Sequence, residues 1–117
     1  MKWHHAGIYV RSLAEAAHVF EYGLGYHPAF CMRWEDEKIL FLERDGTYLE
    51  LIESASTDPG TMHAGFEVND ASEWTVRFCK AGILPLEGPF DLDNGWKSMF
   101  FQAGTLVIEL IESKKPV

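Results

Sequence analysis

The stretch HAGIYV at residues 5–10 returns 58 positions later as HAGFEV at residues 63–68, and this repetition predicts the fold. A second stretch, LELIES at residues 49–54, returns as IELIES at residues 108–113. Self-similarity at a nearly fixed spacing indicates a duplicated structural unit. The sequence therefore predicts two tandem copies of one structural module.

Each copy has the same predicted order of secondary structure. In the first copy, alternation of apolar residues predicts a strand over 3–10, and a helical periodicity predicts a helix over 13–22. Three more strands follow in each copy, and the turn-forming segment SASTDPG at 54–60 separates the copies. We predict an α+β fold of two tandem β-α-β-β-β modules, whose curled mixed sheets enclose a metal or ligand cavity. The modules cover residues 1–57 and 58–117 and together form one domain.

Composition excludes several classes of function. The 117 residues include 10 Lys and Arg against 18 Asp and Glu, which gives a net charge of −8. Nucleic acid as a partner is disfavoured because phosphate binding needs clustered cations. The sequence predicts no membrane span and no signal peptide, since it has no apolar run of about 18 residues and no apolar segment near the start. Only Cys31 and Cys79 carry thiols, which we expect to be buried or half-buried in a reducing compartment. We therefore expect a cytoplasmic protein that binds a small molecule.

Strand alternation places four polar residues on the sheet faces that are turned away from the helices. Successive side chains of a strand point to opposite sides of the sheet. In each copy the apolar set belongs under the helix, and the other set faces away from it. The second set contains two histidines from the opening strands and two glutamates from the closing strands: His5, Glu50, His63 and Glu109.

These residue types in this arrangement indicate a metal site. Glu50 and Glu109 interrupt apolar runs, where a carboxylate without compensation is costly. Neutral imidazoles and carboxylates together suit one divalent ion such as Zn, Ni, Co, Mn or Fe. Any one of the four taken alone is better explained by a structural role, but the duplication favours the metal interpretation for the set. An ion that accepts six ligands would keep two positions for water or substrate.

Other residues have weaker predicted roles. We expect Glu53 and Glu112, which end their strands, to be solvated. The predicted cavity face also carries Tyr9, Tyr48 and Glu67. Candidate pocket walls, for which an ordinary core role is an equal alternative, are Trp34, Phe41, Trp96, Met99 and Phe101.

The order of the motifs HxGIxV, FEYGLGY, YLELIE, HxGFEV and VIELIE resembles the vicinal oxygen chelate superfamily. This superfamily includes glyoxalase I, bleomycin-resistance proteins and extradiol dioxygenases. The resemblance implies paired β-α-β-β-β modules around a metal or ligand site. It places the metal positions on the four residues named above, and this His/Glu/His/Glu set is similar to that of glyoxalase I.

The resemblance implies a metal-dependent, glyoxalase I-like lyase or isomerase acting on a small oxygen-chelating substrate such as a hemithioacetal, which is a thiol adduct. Glu109 or Glu50 would act as general base and then acid. Tyr9 stands where glutathione-dependent glyoxalase I carries an arginine, so glutathione specificity is not implied.

Two alternatives remain open at this point. One is a metal-dependent thiol transferase or dioxygenase of the same superfamily, which would use only His5, His63 and Glu109. The other is a drug-binding resistance protein without turnover. In each case exposed sheet edges make a homodimer the expected assembly.

Overall fold

The computed structural model describes residues 1–113 of the chain. Residue contacts divide it into two units, which we call the amino-terminal unit (residues 5–62) and the carboxy-terminal unit (residues 1–4 and those from 63 onward). Each unit combines one α-helix with strands of both orientations, which confirms the predicted α+β class.

The amino-terminal unit has a four-stranded mixed sheet in the order β2-β3-β4-β1. Strands β1 and β4 are parallel, and the β2–β3 and β3–β4 pairs are antiparallel. Its elements are β1 (Lys2–Val10), α1 (Leu13–His18), a π-helical segment (Val19–Gly23), β2 (His27–Trp34), β3 (Glu37–Arg44) and β4 (Thr47–Glu53).

Helix α1 begins at the predicted cap and ends earlier than predicted as an α-helix. The Ser12 side chain accepts a hydrogen bond from the backbone N–H of Glu15 at 3.2 Å, as expected of an N-cap serine. After His18 the helix widens into the π-helical segment. Gly25 then adopts a φ of 74°, a conformation that glycine reaches without strain, and turns the chain into β2.

The carboxy-terminal unit repeats this topology in the order β5-β8-β7-β6. Strands β5 and β8 are parallel, while β7 is antiparallel to both β8 and β6. Its elements are β5 (Met62–Glu67), α2 (Ala71–Lys80), β6 (Leu84–Asp91), β7 (Lys97–Ala103) and β8 (Leu106–Glu112).

Each helix covers the apolar face of its own sheet. In the amino-terminal unit, Leu42 and Leu51 are fully buried with Ala17 of α1. In the carboxy-terminal unit, Phe101 and Leu110 are fully buried, and the α2 side chains Trp74 and Phe78 pack against the same cluster. Of the residues predicted to face the helices, Ile8, Val10, Phe66 and Ile108 pack in these two clusters.

Two of the proposed pocket walls belong to this helix-side core. Met99 packs in the cluster beneath α2, and Phe101 is at its centre. Of the two roles left open for them, the core role is the one confirmed, because alternation along β7 turns these odd-numbered residues toward the helix and even-numbered residues away from it.

The strand-ending glutamates also differ from the prediction. Glu53 accepts the backbone N–H of Leu13 at 2.9 Å, and Glu112 accepts that of Ala71 at 2.8 Å. Each carboxylate thus satisfies a free N–H in the first turn of the helix of its own module and adds a favourable charge there. They are helix caps and not simply solvated residues.

Both cysteines, Cys31 and Cys79, are free and exposed, so the expectation of buried or half-buried thiols is wrong. Neither helix within residues 1–113 is long and apolar enough to cross a membrane.

Candidate metal centre

The amino-terminal unit brings His5 and Glu50 together through the parallel pairing of β1 and β4. Gly7 is the register partner of Glu50, so His5 lies two residues away on the same face of the neighbouring strand. The Nε2 atom of His5 is 3.3 Å from Oε1 of Glu50, and both side chains are buried. The alternation argument therefore placed this pair correctly.

The carboxy-terminal unit builds the same pair from β5 and β8. Gly65 is the register partner of Glu109. The Nε2 atom of His63 is 3.0 Å from Oε1 of Glu109, and each side chain has 7% of its surface exposed. Strand register reproduces the histidine–glutamate pair in both units.

The spacing within each pair fits two ligands of one ion. Zinc lies about 2.0–2.2 Å from histidine nitrogens and carboxylate oxygens. Two such ligands are about 3.0 Å apart at a right angle and about 3.4 Å apart at a tetrahedral angle, by the bond lengths above. The observed 3.3 and 3.0 Å fall in this interval. The donor types and their separations therefore fit a divalent transition metal.

Ser98 is a member of the carboxy-terminal site that sequence reasoning missed. Its hydroxyl donates to Oε2 of Glu109 at 2.5 Å, and the residue is 1% exposed. The strand register matches Ser98 with Ile39 of the other copy, since each lies opposite an isoleucine of the closing strand. A hydroxyl at a position that is apolar in the other copy is the signal that marks Ser98, and it becomes specific once the strand register is known.

Aromatic rings flank both histidines. Phe41 meets the His5 ring edge-on, with centroids 5.6 Å apart, which agrees with its predicted place on this side of the sheet. Phe100, its repeat partner, meets His63 at the same 5.6 Å, although it was not among the predicted walls. In the amino-terminal unit Phe30 also stacks on Phe41 at 4.6 Å, and Tyr48 contacts both rings.

Tyr9 forms a second polar pair in the amino-terminal unit. Its hydroxyl donates to Oε2 of Glu37 at 2.5 Å. Burial, and then the hydrogen bond and negative charge of Glu37, raise the pKa of Tyr9 far above its ordinary value, with a smaller contribution from Glu50. Tyr9 is therefore a neutral hydrogen-bond donor at physiological pH.

Glu67 and Trp96 have partners away from the histidine–glutamate pair. Glu67 forms an ion pair with Lys2 at 3.4 Å and accepts a hydrogen bond from the Ser113 hydroxyl. Trp96 meets the ring of His4 edge-on at 4.7 Å.

None of the protein-family models and none of the curated proteins matches this sequence. Solved structures do match its fold. A hypothetical protein from Bacillus halodurans C-125 superposes with a TM-score of 0.86 at 21% identity, over 99% of this chain and 96% of that one.

Two further matches are enzymes of one kind. The methylmalonyl-CoA epimerase from Mycobacterium tuberculosis gives a TM-score of 0.83 at 19% identity, over 97% of this chain and 89% of that one. A variant of the Streptomyces coelicolor methylmalonyl-CoA epimerase, in complex with 2-nitronate-propionyl-CoA, gives 0.85 at 18% identity and covers 99% of both chains. At these identities the likeness concerns the fold alone, and it agrees with the paired-module fold predicted from the sequence.

Proposed function

We propose that this protein is a metal-dependent isomerase in which His5, Glu50, His63 and Glu109 hold one divalent ion. The observation that carries the proposal is the pair of equivalent histidine–glutamate contacts, both buried and both spaced as adjacent ligands. The ion would be Zn, Ni, Co, Mn or Fe(II), since imidazole nitrogen and carboxylate oxygen suit this group of metals.

Charge supports the same set. Two carboxylates balance the two positive charges of the ion, and two neutral imidazoles add none. A formally neutral site is cheaper to bury than an isolated carboxylate, which is why both glutamates are tolerable among apolar neighbours.

The chemistry follows from which groups are present. Such an ion supplies Lewis acidity, which stabilises negative charge on a substrate oxygen. One of the two glutamates would take a proton from the carbon beside that oxygen and deliver it again, acting first as general base and then as acid. The aromatic rings beside the histidines would keep water from that proton.

The first substrate class we propose is a hemithioacetal, as in glyoxalase I-like enzymes. The four-residue set supports it, since two carboxylates and two imidazoles are the set that the sequence resemblance associates with glyoxalase I. Tyr9, whose hydroxyl donates to Glu37, stands where glutathione-dependent glyoxalase I carries an arginine. We therefore expect a thiol other than glutathione.

A second candidate is proton transfer next to the carbonyl of a coenzyme A thioester. The fold comparison favours it, because two of the matched structures are methylmalonyl-CoA epimerases and one of these holds a coenzyme A compound. Both candidates share one chemical event, the removal and return of a proton on carbon.

The test uses that shared event. Wild-type protein is purified, its metal content is measured, and it is then incubated in heavy water with methylglyoxal and a panel of thiols, or separately with methylmalonyl-CoA. We expect about one metal per chain and a metal-dependent change in deuterium incorporation into one substrate. A chelator should abolish the activity and the missing metal should restore it. Absence of metal from wild-type protein, or equal metal binding by a His63→Ala variant, would overturn the site.

The same assay separates the remaining alternatives. Turnover that survives Glu50→Gln would favour a thiol transferase or dioxygenase that uses only His5, His63 and Glu109. Tight binding of a planar drug without turnover of any substrate would favour a resistance protein.

We also propose a homodimer in the cytoplasm. The exposed thiols of Cys31 and Cys79 are compatible with a reducing compartment. An isologous dimer is the commonest way to cover sheet edges. Light scattering that gives the mass of a monomer for metal-loaded protein at micromolar concentration would rule the dimer out.

A further inference from the structure

We propose that Ser98 is a positioning residue that holds Glu109 in the orientation of a metal ligand, an inference that rests on the proposed metal site. Nothing in the sequence motifs assigned a role to this serine. The role follows from its contact, its burial and its repeat partner.

The two carboxylate oxygens of Glu109 contact different residues. Oε1 of Glu109 lies 3.0 Å from Nε2 of His63, and Oε2 accepts the Ser98 hydroxyl at 2.5 Å. The last torsion of a glutamate side chain has a broad range when nothing restrains it. A hydrogen bond to one oxygen restricts that torsion and leaves the other oxygen presented beside the imidazole.

Strand register places the serine diagonally across from this carboxylate. On the β7–β8 pair, Phe100 is opposite Glu109 and Ser98 is opposite Ile111. Ser98 and Glu109 are therefore diagonal neighbours on one face, a separation that side chains bridge. With 1% of its surface exposed, Ser98 would lose solvent hydrogen bonds on burial, and the bond to Glu109 compensates for that loss.

The other copy shows that the fold does not need a hydroxyl here. Ile39 is opposite Ile52, as Ser98 is opposite Ile111. It is 6% exposed, so an apolar side chain fills the corresponding position of the amino-terminal unit. Since packing alone is satisfied by isoleucine, the serine is better explained by what it does to Glu109.

The experiment compares Ser98→Ala with Ser98→Thr and with Ile39→Val. Zinc or nickel affinity is measured by competition with a chelator, and the melting temperature of each metal-free protein is measured in parallel. We expect Ser98→Ala to bind metal about 10- to 100-fold more weakly, the usual range for loss of a hydrogen bond to a ligand. Ser98→Thr keeps the hydroxyl and should keep most of the affinity. Ile39→Val, the matched change in the other copy, should leave affinity unaltered.

The outcomes distinguish this inference from the proposed function. Metal-free wild-type protein that takes up no metal would overturn both. Wild-type protein that binds metal, together with a Ser98→Ala variant that binds it equally well, would overturn only the role of Ser98. If Ser98→Ala does not fold, Ser98→Val replaces it, because valine has nearly the shape of threonine but no hydroxyl and no metal-binding atom. Wild-type affinity in that variant would equally contradict the inference.

Discussion

The two halves of the chain share a histidine–glutamate pair and differ in the side chains that surround it. In both, a histidine and a glutamate from parallel neighbouring strands lie 3.0–3.3 Å apart. Beside Glu50 the repeat position is Ile39, whereas beside Glu109 it is Ser98, which donates a hydrogen bond. Strand register thus preserves the placement of the histidine–glutamate pair in both halves, and in the second half a neighbouring serine adds a hydrogen bond to the glutamate.

The largest expected effect comes from removing one histidine of either half. We predict that His5→Ala and His63→Ala each weaken metal binding by more than about 100-fold, beyond the range for residues that only support a ligand. If the two halves hold one ion, both variants lose it. If each half held its own ion, either variant would keep half of the metal. Elemental analysis after dialysis decides this, with exposed His18→Ala as the control.

Exchange of each carboxylate for an amide tests whether Glu109 mainly binds the metal while Glu50 mainly transfers the proton. Because Ser98 fixes Glu109, we predict that Glu109→Gln mainly weakens metal binding. Glu50→Gln should lower kcat by about 10²- to 10⁴-fold at full metal loading, the range for loss of a general base. Side-by-side kcat and metal titrations measure both effects. Unchanged turnover in Glu50→Gln would contradict the isomerase mechanism.

The two cores should respond equally to the same truncation. Leu51 and Leu110 are repeat partners, and both are 0% exposed. We predict that Leu51→Ala and Leu110→Ala each lower the free energy of unfolding by about 2–5 kcal/mol, as for other fully buried leucines. Urea unfolding of the metal-free protein measures this, with Leu106→Ala, which is 56% exposed, as a control. A large difference between the two variants would show that the modules do not pack equivalently.

The smallest expected effect concerns Tyr9, whose repeat position holds Glu67. The folded state raises the pKa of Tyr9 above 10.0, so from that pH upward the unfolded chain releases a proton that the folded chain keeps. Stability from this group is therefore complete below pH 10.0 and is lost as pH rises toward the folded pKa. We predict that wild type loses stability above that pH more steeply than Tyr9→Phe. Urea unfolding between neutral and alkaline pH checks this, with exposed Tyr22→Phe as reference; parallel curves would contradict it.

Much of the fold was predictable because it depends on alternation and repetition. The predicted opening strand, residues 3–10, agrees with β1 to one residue, and the faces of His5, Glu50, His63 and Glu109 followed from the same period of two. The faces of the later strands were harder to assign, because Met99, Phe100 and Phe101 place apolar side chains on both faces of β7. That is why the sequence left both a pocket role and a core role open for Met99 and Phe101, and why Phe100 was overlooked.

The contacts of polar side chains were less predictable than their faces. Nothing local in the sequence indicates that Glu53 reaches Leu13, or that Ser98 reaches Glu109, because each contact joins residues on different strands or helices. The carboxy-terminal boundary of α1 was also missed. The apolar periodicity continues through Phe20, whereas the backbone changes to a π-helical segment after His18. Such details depend on how a helix docks and not on its own period.

The two glutamate caps bear on the order in which the chain folds. Each cap joins a helix start to a strand end 40 or 41 residues later, so the helix gains this bond only when the last strand of its module is in place. With six residues, α1 is far too short to persist alone. Helix and closing strand must then form together, which makes each module a cooperative folding unit with a long loop to close. The strand that carries the glutamate proposed as a metal ligand is thereby also the strand that supplies the cap of the helix.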